Sequence, residues 1–258
     1  MARDADAAVV VVGITEGEGY DRASLDLPAS EERLISAIAG TGKPTIVVLL
    51  NGNAITMKNW IDTVAAVVEA WYPGEEGGNA VADVLFGDYN PGGKLPLTFP
   101  QFVGQVPLYY NTKPTGRGYD YSDMSGRPLF PFGYGLSYTT FTYSNLGIEP
   151  STAPIGQKVR IRCELQNQGD RRGDEVVQLY LHDPVASVTR PVKELKGFQR
   201  VTLEPGQKVT VIFEIANEDL EFLNERMKPV VEQGTIEVLL GSSSEDIRLR
   251  SNFELVAR

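Results

Sequence analysis

The sequence has little of the chemistry on which several large classes of protein depend. It holds one cysteine, Cys163, and one histidine, His182. An internal disulfide and a Cys/His metal cluster are therefore excluded, and we expect neither a metal site nor a cofactor. Cys163 lies in an alternating apolar run and is predicted to be buried, whereas His182, which precedes Asp183 and Pro184, is predicted to lie at a strand end or on the surface.

Long apolar runs and clusters of positive charge are also missing. No run reaches the ~18 residues of a membrane span, and residues 1–6 are charged and do not form a signal peptide. The formal net charge is -10, from 24 basic and 34 acidic residues. Nucleic acids are bound through clustered Lys and Arg, so this charge argues against such a partner and suits a neutral ligand such as a sugar.

The first half of the chain alternates apolar runs with helical patterns. Helices are predicted over 29–39, with Ser30 as the N-cap, and over 79–86, with Gly87 as the C-cap. The order predicts a parallel sheet covered by helices, with buried strands at 7–13, which is a continuous apolar run, at 45–50 and at 64–71. Three strands are fewer than the ~5–6 of a typical sheet. We therefore expect upstream sequence to supply more.

The second half of the chain has the two-residue period of β-strands. Turn signals such as Glu204-Pro205-Gly206 separate the runs, and the spacing predicts a sandwich of the immunoglobulin or fibronectin III kind. The predicted strands are 159–165, 176–181, 193–203, 208–215 and 235–240. We predict three regions: an α/β sandwich domain over 1–114, an irregular Gly/Pro/Tyr-rich linker packing on it over 115–141, and a β-sandwich over 142–258.

The loop that follows the first strand, residues 13–22, is the first candidate site. In open α/β sheets, ligands bind beyond the carboxyl ends of the strands. The loop carries Glu16, Glu18 and Asp21 among three glycines, and such a carboxyl group could act as a general acid/base if its pKa were raised by burial or by a second carboxylate. The alternative, which composition alone favours, is a set of solvated turn residues. The glycine spacing does not match a dinucleotide fingerprint.

Two further loops follow the other predicted strands. In residues 71–79, Glu75 and Glu76 would lie at a helix start, where negative charge suits the helix dipole, and Trp71 or Tyr72 could stack on a sugar ring. After the second strand, Asn51-Gly52 and Asn53 are typical of a turn.

Long motifs in both halves of the chain resemble the C-terminal region of family 3 glycoside hydrolases, the β-glucosidases and β-xylosidases. The matching segments run through nearly the full length and include GEGYDR at 17–22, GKPTIVVLLNG at 42–52, EAWYPGEEGGNAVADVLFGDYNPGGKLPLTFP at 69–100, PLFPFGYGLSYTTFTYSNL at 128–146 and GDEVVQLYLHDP at 173–184. The resemblance implies a three-layer α/β sandwich with a mostly parallel sheet that is incomplete at its N-terminal side, followed by a fibronectin III-like β-sandwich.

The same resemblance implies a retaining mechanism divided between two domains. The family's barrel supplies an Asp nucleophile and the α/β sandwich supplies a Glu acid/base, which maps onto Glu18, with Glu16 as the fallback. Candidate substrate-binding residues are Tyr20, Asp21, Arg22, Trp71 and Tyr72. Because nothing in the sequence resembles the barrel, the isolated chain is expected to be inactive.

The implied partners are the missing N-terminal barrel and a β-linked gluco- or xylo-oligosaccharide. No nucleic acid or membrane partner is expected, and an exposed truncation surface could cause self-association. The alternative function is a non-catalytic carbohydrate-binding or scaffolding module. A periplasmic or secreted parent protein is compatible with these features, but the sequence fixes no compartment.

Overall fold

A computed structural model describes residues 2–116 and 118–257 and divides them into two compact units. The first unit consists of the described parts of Met1–Tyr89, Thr98–Leu108 and Asp120–Phe130. The second unit consists of the described parts of Asn90–Leu97, Tyr109–Tyr119 and Pro131–Arg258.

The first unit contains a three-stranded parallel sheet in the order β1-β2-β3, formed by Ala8–Gly13, Thr45–Leu50 and Ala66–Glu69. Its apolar runs fit strands because β-branched side chains suit a pleated, buried surface. Val47 and Leu49 of the central strand are fully buried. Along β1 the pattern alternates: Val10 is 3% exposed, whereas Val11 is 57% exposed.

Two helices follow the strands. Helix α1 covers Ala29–Ala39 and contacts β1 and β2, and α2 covers Gly77–Phe86. Gly87 ends α2 with a φ of 84°, as predicted for a glycine C-cap. The prediction of Ser30 as an N-cap was wrong, because the helix begins one residue earlier and the carbonyl of Pro28 accepts its first backbone hydrogen bonds.

The second unit is built mainly of β-strands. A five-stranded sheet has the order β5-β13-β12-β7-β8, and a three-stranded sheet has the order β4-β6-β9. The strands of the larger sheet are β5 Thr152–Pro154, β7 Gly173–His182, β8 Glu194–Leu203, β12 Gly234–Gly241 and β13 Ile247–Val256. Those of the smaller sheet are β4 Phe141–Glu149, β6 Val159–Asn167 and β9 Lys208–Ile215. The helix α3 Asn217–Leu220 and a short hairpin, β10 Phe222–Leu223 and β11 Pro229–Val230, complete the unit.

One hydrophobic core fills this second unit. Inward-facing residues of both sheets supply it, including Leu179, Val238 and Phe253, and Cys163 is buried there as predicted. His182 ends β7, where its Nδ1 lies 3.0 Å from the carbonyl oxygen of Pro191. The predicted combination of an α/β domain and an immunoglobulin-like sandwich is confirmed.

A buried ion pair accompanies this core. Lys94 Nζ lies 2.9 Å from Glu175 Oε1, and the two side chains are only 14% and 8% exposed. The same ammonium donates to the carbonyl oxygen of Gly135 at 3.4 Å. Each of these buried charges stabilises the other, since burying either one without its partner would be unfavourable because of desolvation.

Over the described residues, no helix combines the length and the apolar character that crossing a membrane requires.

Candidate active site

The candidate site begins at the carboxyl ends of β1 and β2, where Gly13 pairs with Leu50. A Cβ on Gly13 would lie 2.1 Å from the carbonyl oxygen of Leu50, so only glycine fits at the end of β1. The amide of Gly13 donates to Glu31 Oε2 at 3.1 Å, which ties the strand end to the first turn of α1. The following loop therefore leaves the carboxyl edge of the sheet from a fixed point.

Glu18 lies at the tip of this loop. The amide of Tyr20 donates to the carbonyl of Gly17 at 3.0 Å, which closes a turn with Glu18 and Gly19 at its centre. Gly19 has a φ of +79°, the conformation that the third residue of a type II turn needs. Glu18 is exposed, and within the described part of the chain its carboxylate has no hydrogen-bond or ion-pair partner.

Glu16, two residues earlier, is held on both carboxylate oxygens. Its Oε1 accepts from Arg22 Nε at 3.1 Å and pairs with Arg22 Nη2 at 3.0 Å. Its Oε2 accepts from the amide of Gly52 at 2.9 Å and from the hydroxyl of Tyr72 at 3.3 Å. The side chain is only 11% exposed. Glu16 thus links the loops that follow all three strands.

A second carboxylate lies at the end of β3. Glu69 Oε1 accepts from the amide of Trp71 at 3.1 Å, and Glu69 Oε2 accepts from Nδ2 of the fully buried Asn51 at 3.4 Å. Asn51 Nδ2 also donates to the carbonyl of Asn53 at 2.6 Å. The asparagine predicted as a turn residue therefore lies inside the fold, between two strand ends.

The pKa of Glu69 is raised from 4.5 to about 7. Burial is the main cause, hydrogen bonds from Trp71 and Asn51 oppose it, and the negative charge of Glu16 adds to it. Burial and the same Glu16 charge also raise the pKa of the Tyr72 hydroxyl. The carboxyl edge of the sheet therefore holds a carboxyl group that changes charge near neutral pH.

Trp71 takes up an unusual backbone conformation beside Glu69. Its φ is +52°, which for a bulky residue costs on the order of 1–3 kcal/mol. The bond from its amide to Glu69 and an edge-to-face contact with Phe99, with ring centroids 6.0 Å apart, hold it there.

Of the predicted site residues, the structure brings Arg22 and Tyr72 into contact with Glu16. Tyr20 and Tyr72 are exposed by 80% and 61%, and Asp21 is also exposed. The guanidinium of Arg22 is engaged within the loop, since besides Glu16 it donates to the carbonyl of Asp26 at 3.1 Å.

Glu75 and Glu76 lie in the loop that leads into α2. Glu76 occupies the N-cap position and accepts from Asn79 Nδ2 at 2.6 Å, whereas Glu75 is exposed.

Sequence reasoning missed Glu69. Residue 69 lies within the predicted strand 64–71, and no role in the site was assigned to it. The available signal was a lone carboxylate in the otherwise apolar run VAAVVEAW, two residues before the end of the predicted strand. A carboxylate near the carboxyl end of a buried strand is itself partly buried, and it lies at the edge of the sheet where ligands bind.

Fold and loop geometry define an α/β domain with a carboxylate-bearing edge, joined in one chain to a fibronectin-like sandwich. Residues 1–138 match the glycosyl hydrolase family 3 C-terminal domain, and residues 175–244 match the fibronectin type III-like domain. The chain belongs to glycoside hydrolase family 3.

Relatives from several bacteria agree with this assignment. A periplasmic beta-glucosidase of Salmonella typhimurium is 45% identical over 99% of this chain, and a beta-xylosidase of Formosa agariphila is 46% identical over 95%. The structure of a Listeria innocua beta-glucosidase in complex with glucose superimposes with a TM-score of 0.95 at 36% identity, covering 98% of this chain and 37% of that one. The chain spans 35% of the length of the Salmonella and Formosa relatives.

Proposed function

We propose that this chain supplies the general acid/base of a retaining β-glycosidase and that the nucleophile lies on a part of the enzyme that the chain does not cover. The observation that carries the proposal is the position of Glu18, an exposed carboxylate at the tip of a braced turn on the carboxyl edge of the sheet. Such a group can reach into a crevice formed with a second surface. The 35% coverage of the relatives leaves room for that surface.

The proposed reaction has two steps. In the first, a carboxylate on the second surface bonds to the anomeric carbon while protonated Glu18 gives its proton to the departing glycosidic oxygen. In the second, Glu18, now a carboxylate, takes a proton from water as that water attacks the anomeric carbon and releases the nucleophile. The two carboxyl groups must lie about 5–5.5 Å apart across the scissile bond.

The proposed substrates are β-linked gluco- or xylo-oligosaccharides. Support comes from the names of the relatives, which are beta-glucosidases and beta-xylosidases, and from a Listeria beta-glucosidase mutant solved with laminaribiose. Tyr72 contacts Glu16, Tyr20 follows Glu18 by two residues in the sequence, and both rings are exposed. Aromatic faces of this kind suit the apolar faces of sugar rings. Asp21, Arg22 and Trp71 remain proposed contacts.

A chimera tests the proposal. This chain replaces the matching segment of the Salmonella enzyme, so that the uncovered part of that relative provides the second surface. Hydrolysis of an aryl β-glucoside by the chimera, with none by this chain alone, is the expected result. Turnover by the isolated chain would contradict the division of the site between this chain and the part of the enzyme that it does not cover.

A non-catalytic sugar-binding role is the second candidate, because the two exposed tyrosine rings need no nucleophile to bind a sugar. It predicts saturable binding by the isolated chain, measured by titration calorimetry with glucose, cellobiose and xylan. Absence of heat with all three would remove this candidate. Since the Salmonella relative is periplasmic, we also propose a location outside the cytoplasm for the parent enzyme.

Strand β1 is expected to promote self-association of the isolated chain. Val9 and Val11 are 50% and 57% exposed, and among the described strands β1 has a neighbour on one side only. An apolar strand at a sheet edge is a template for pairing with another chain. Replacing both valines by threonine, which keeps shape and strand preference, should lower the apparent mass in light scattering.

The matched control for this experiment is Val185→Thr, at a position that is 79% exposed and outside any strand. It should leave the apparent mass unchanged. Weak pairing between strand edges is populated at protein concentrations of about 100 micromolar. A wild-type chain that stays monomeric at that concentration would contradict the expectation.

A further inference from the structure

Glu69 contacts two loops at once. Its Oε1 accepts from the backbone amide of Trp71, in the loop after β3, and its Oε2 accepts from the side chain of Asn51, in the loop after β2. The distances are 3.1 Å and 3.4 Å. A single carboxylate thus ties together the strand ends from which both loops leave.

The next residue of each loop contacts Glu16. Gly52, which follows Asn51, donates its amide to Glu16 Oε2, and Tyr72, which follows Trp71, donates its hydroxyl to the same oxygen. The two loops therefore run between one carboxylate at the sheet edge and a second carboxylate in the loop after β1. A shift of either dipeptide would move a donor that holds Glu16.

Glu16 in turn closes the segment that carries Glu18. Its other oxygen is held by Arg22, and the guanidinium also donates to the carbonyl of Asp26. Residues 16 and 22 are the two ends of what we term the 16–22 loop, with Glu18 at its tip. The arrangement of this loop depends on where Glu16 is held.

We propose that Glu69 is a positioning residue, which fixes the 16–22 loop and hence Glu18 through the loops that follow β2 and β3. The inference rests on the proposed function of Glu18. Among the described residues, the hydrogen bonds of Glu69 go to Asn51 and Trp71 and not to the tip of the loop, so its effect on Glu18 is indirect.

Protonation gives this role a signature that simple packing lacks. Ionised Glu69 has acceptors for both donors, whereas the protonated group turns one of its oxygens into a donor. The pKa of Glu69, raised to about 7 chiefly by burial, puts this change near neutral pH. The charged and titratable groups that act on it are Glu16 and, through Glu16, Arg22 and Tyr72.

The experiment uses Glu69→Gln in the chain as it stands, followed by nitrogen-15 NMR. In the wild type, the amide signals of Gly17, Gly19 and Gly52 should move with pH around a midpoint near 7. In the variant this movement should be lost, and exchange of the Gly52 amide with solvent should be at least about tenfold faster, since a weakened bond opens more often. Glu75→Gln, an exposed change on the same loop as Trp71, is the control and should keep both properties.

A second variant leaves Glu69 intact. Glu16→Gln removes the negative charge that raises the pKa of Glu69, so the midpoint seen at the amide of Trp71 should move to lower pH. If Glu69→Gln does not fold, this measurement still tests the coupling between Glu69 and Glu16. An unchanged midpoint would overturn the coupling between the two carboxylates.

The inference fails if Glu69→Gln perturbs only Asn51 and Trp71 and leaves the glycine amides of the 16–22 loop as in the wild type. This outcome is distinct from failure of the proposed function. Should Glu18→Gln leave the chimera active while Glu69→Gln still disorders the loop, Glu18 would lose its catalytic role and Glu69 would keep its positioning role. If both roles are correct, Glu69→Gln lowers kcat of the chimera more than it changes KM. It also removes the inflection near pH 7 from the dependence of kcat on pH.

Discussion

Glu18→Gln is expected to lower kcat/KM of the chimeric enzyme on an unactivated β-glucoside by about 10²–10⁴-fold, the usual contribution of a general acid/base. Glutamine keeps the size of the side chain but cannot give up or accept the proton. Because Glu18 is exposed and has no partner within the described residues, the fold itself should be unaffected. Initial rates together with a circular dichroism spectrum measure both.

The leaving group provides the discriminating control. Dinitrophenolate departs from a dinitrophenyl β-glucoside without protonation. With this substrate the first step should therefore be nearly as fast in the variant as in the wild type, while the second step, attack by water, stays slow. A burst of dinitrophenol followed by slow turnover is the expected trace. Equal losses on activated and unactivated substrates would reject the acid role of Glu18.

Glu16→Gln separates the two candidate residues. Glu16 is held by Arg22, Gly52 and Tyr72, which suits a residue that holds the loop in place. Its replacement should lower activity on activated and unactivated substrates by similar factors, because misplacement of the loop affects both steps. A leaving-group dependence in Glu16→Gln and none in Glu18→Gln would transfer the acid/base role to Glu16.

Lys94→Met is expected to lower the free energy of unfolding of the second unit by about 3–5 kcal/mol. The change leaves the carboxylate of Glu175, 8% exposed, without its ammonium partner. The measurement is urea unfolding followed through the exchange of β7 amides, since β7 belongs to this unit.

Two variants make the ion-pair prediction specific. Lys158→Met removes an exposed partner of Glu214, where the side chains are 69% and 49% exposed, and should leave the free energy of unfolding nearly unchanged. The double variant Lys94→Met, Glu175→Leu removes both buried charges and should recover most of the loss. A double variant as unstable as Lys94→Met would show that lost packing, and not an unpaired charge, is responsible.

The strands of the first unit could be predicted because their signal is strong and local. Residues 46–50 are an unbroken apolar run, and the predicted strand 45–50 became β2 without a change of bounds. Predicted strand 64–71 shortened to Ala66–Glu69, because Trp71 turns away with a positive φ that no propensity foretells for a tryptophan. The bounds of α1 were predicted correctly, but its N-cap was assigned to Ser30 because serine favours N-caps on average, whereas Pro28 has the extended backbone that an N-cap needs.

Several strands of the second unit escaped prediction for a physical reason. In β13 the alternation breaks at Ser251, a polar and exposed residue in the register of the inward-facing positions, and the buried residues of the strand are Phe253 and Leu255. In β4 a register shift between Ser144 and Gly147 interrupts the pairing, with Asn145 at a φ of 54°. Interrupted strands lose the two-residue period on which sequence reasoning depends.

The candidate site divides in the same way. The family motif led to Glu18 and Glu16 because both are within one short segment. The contact between Glu69 and Asn51 joins residues 18 positions apart, and only the packing of β2 against β3 brings them together. The roles of the site residues and the limits 1–114, 115–141 and 142–258 stay predictions.

The position of β13 bears on how the chain is made. This strand lies inside its sheet, between β12 and β5, and pairs Glu254 with Thr152. Synthesis must therefore proceed roughly a hundred residues beyond β5 before that ladder can close, and contacts of such separation form slowly. Until the ribosome releases Phe253 and Leu255, the sheet lacks the strand between β12 and β5, so part of the apolar core of the sandwich stays uncovered in the nascent chain.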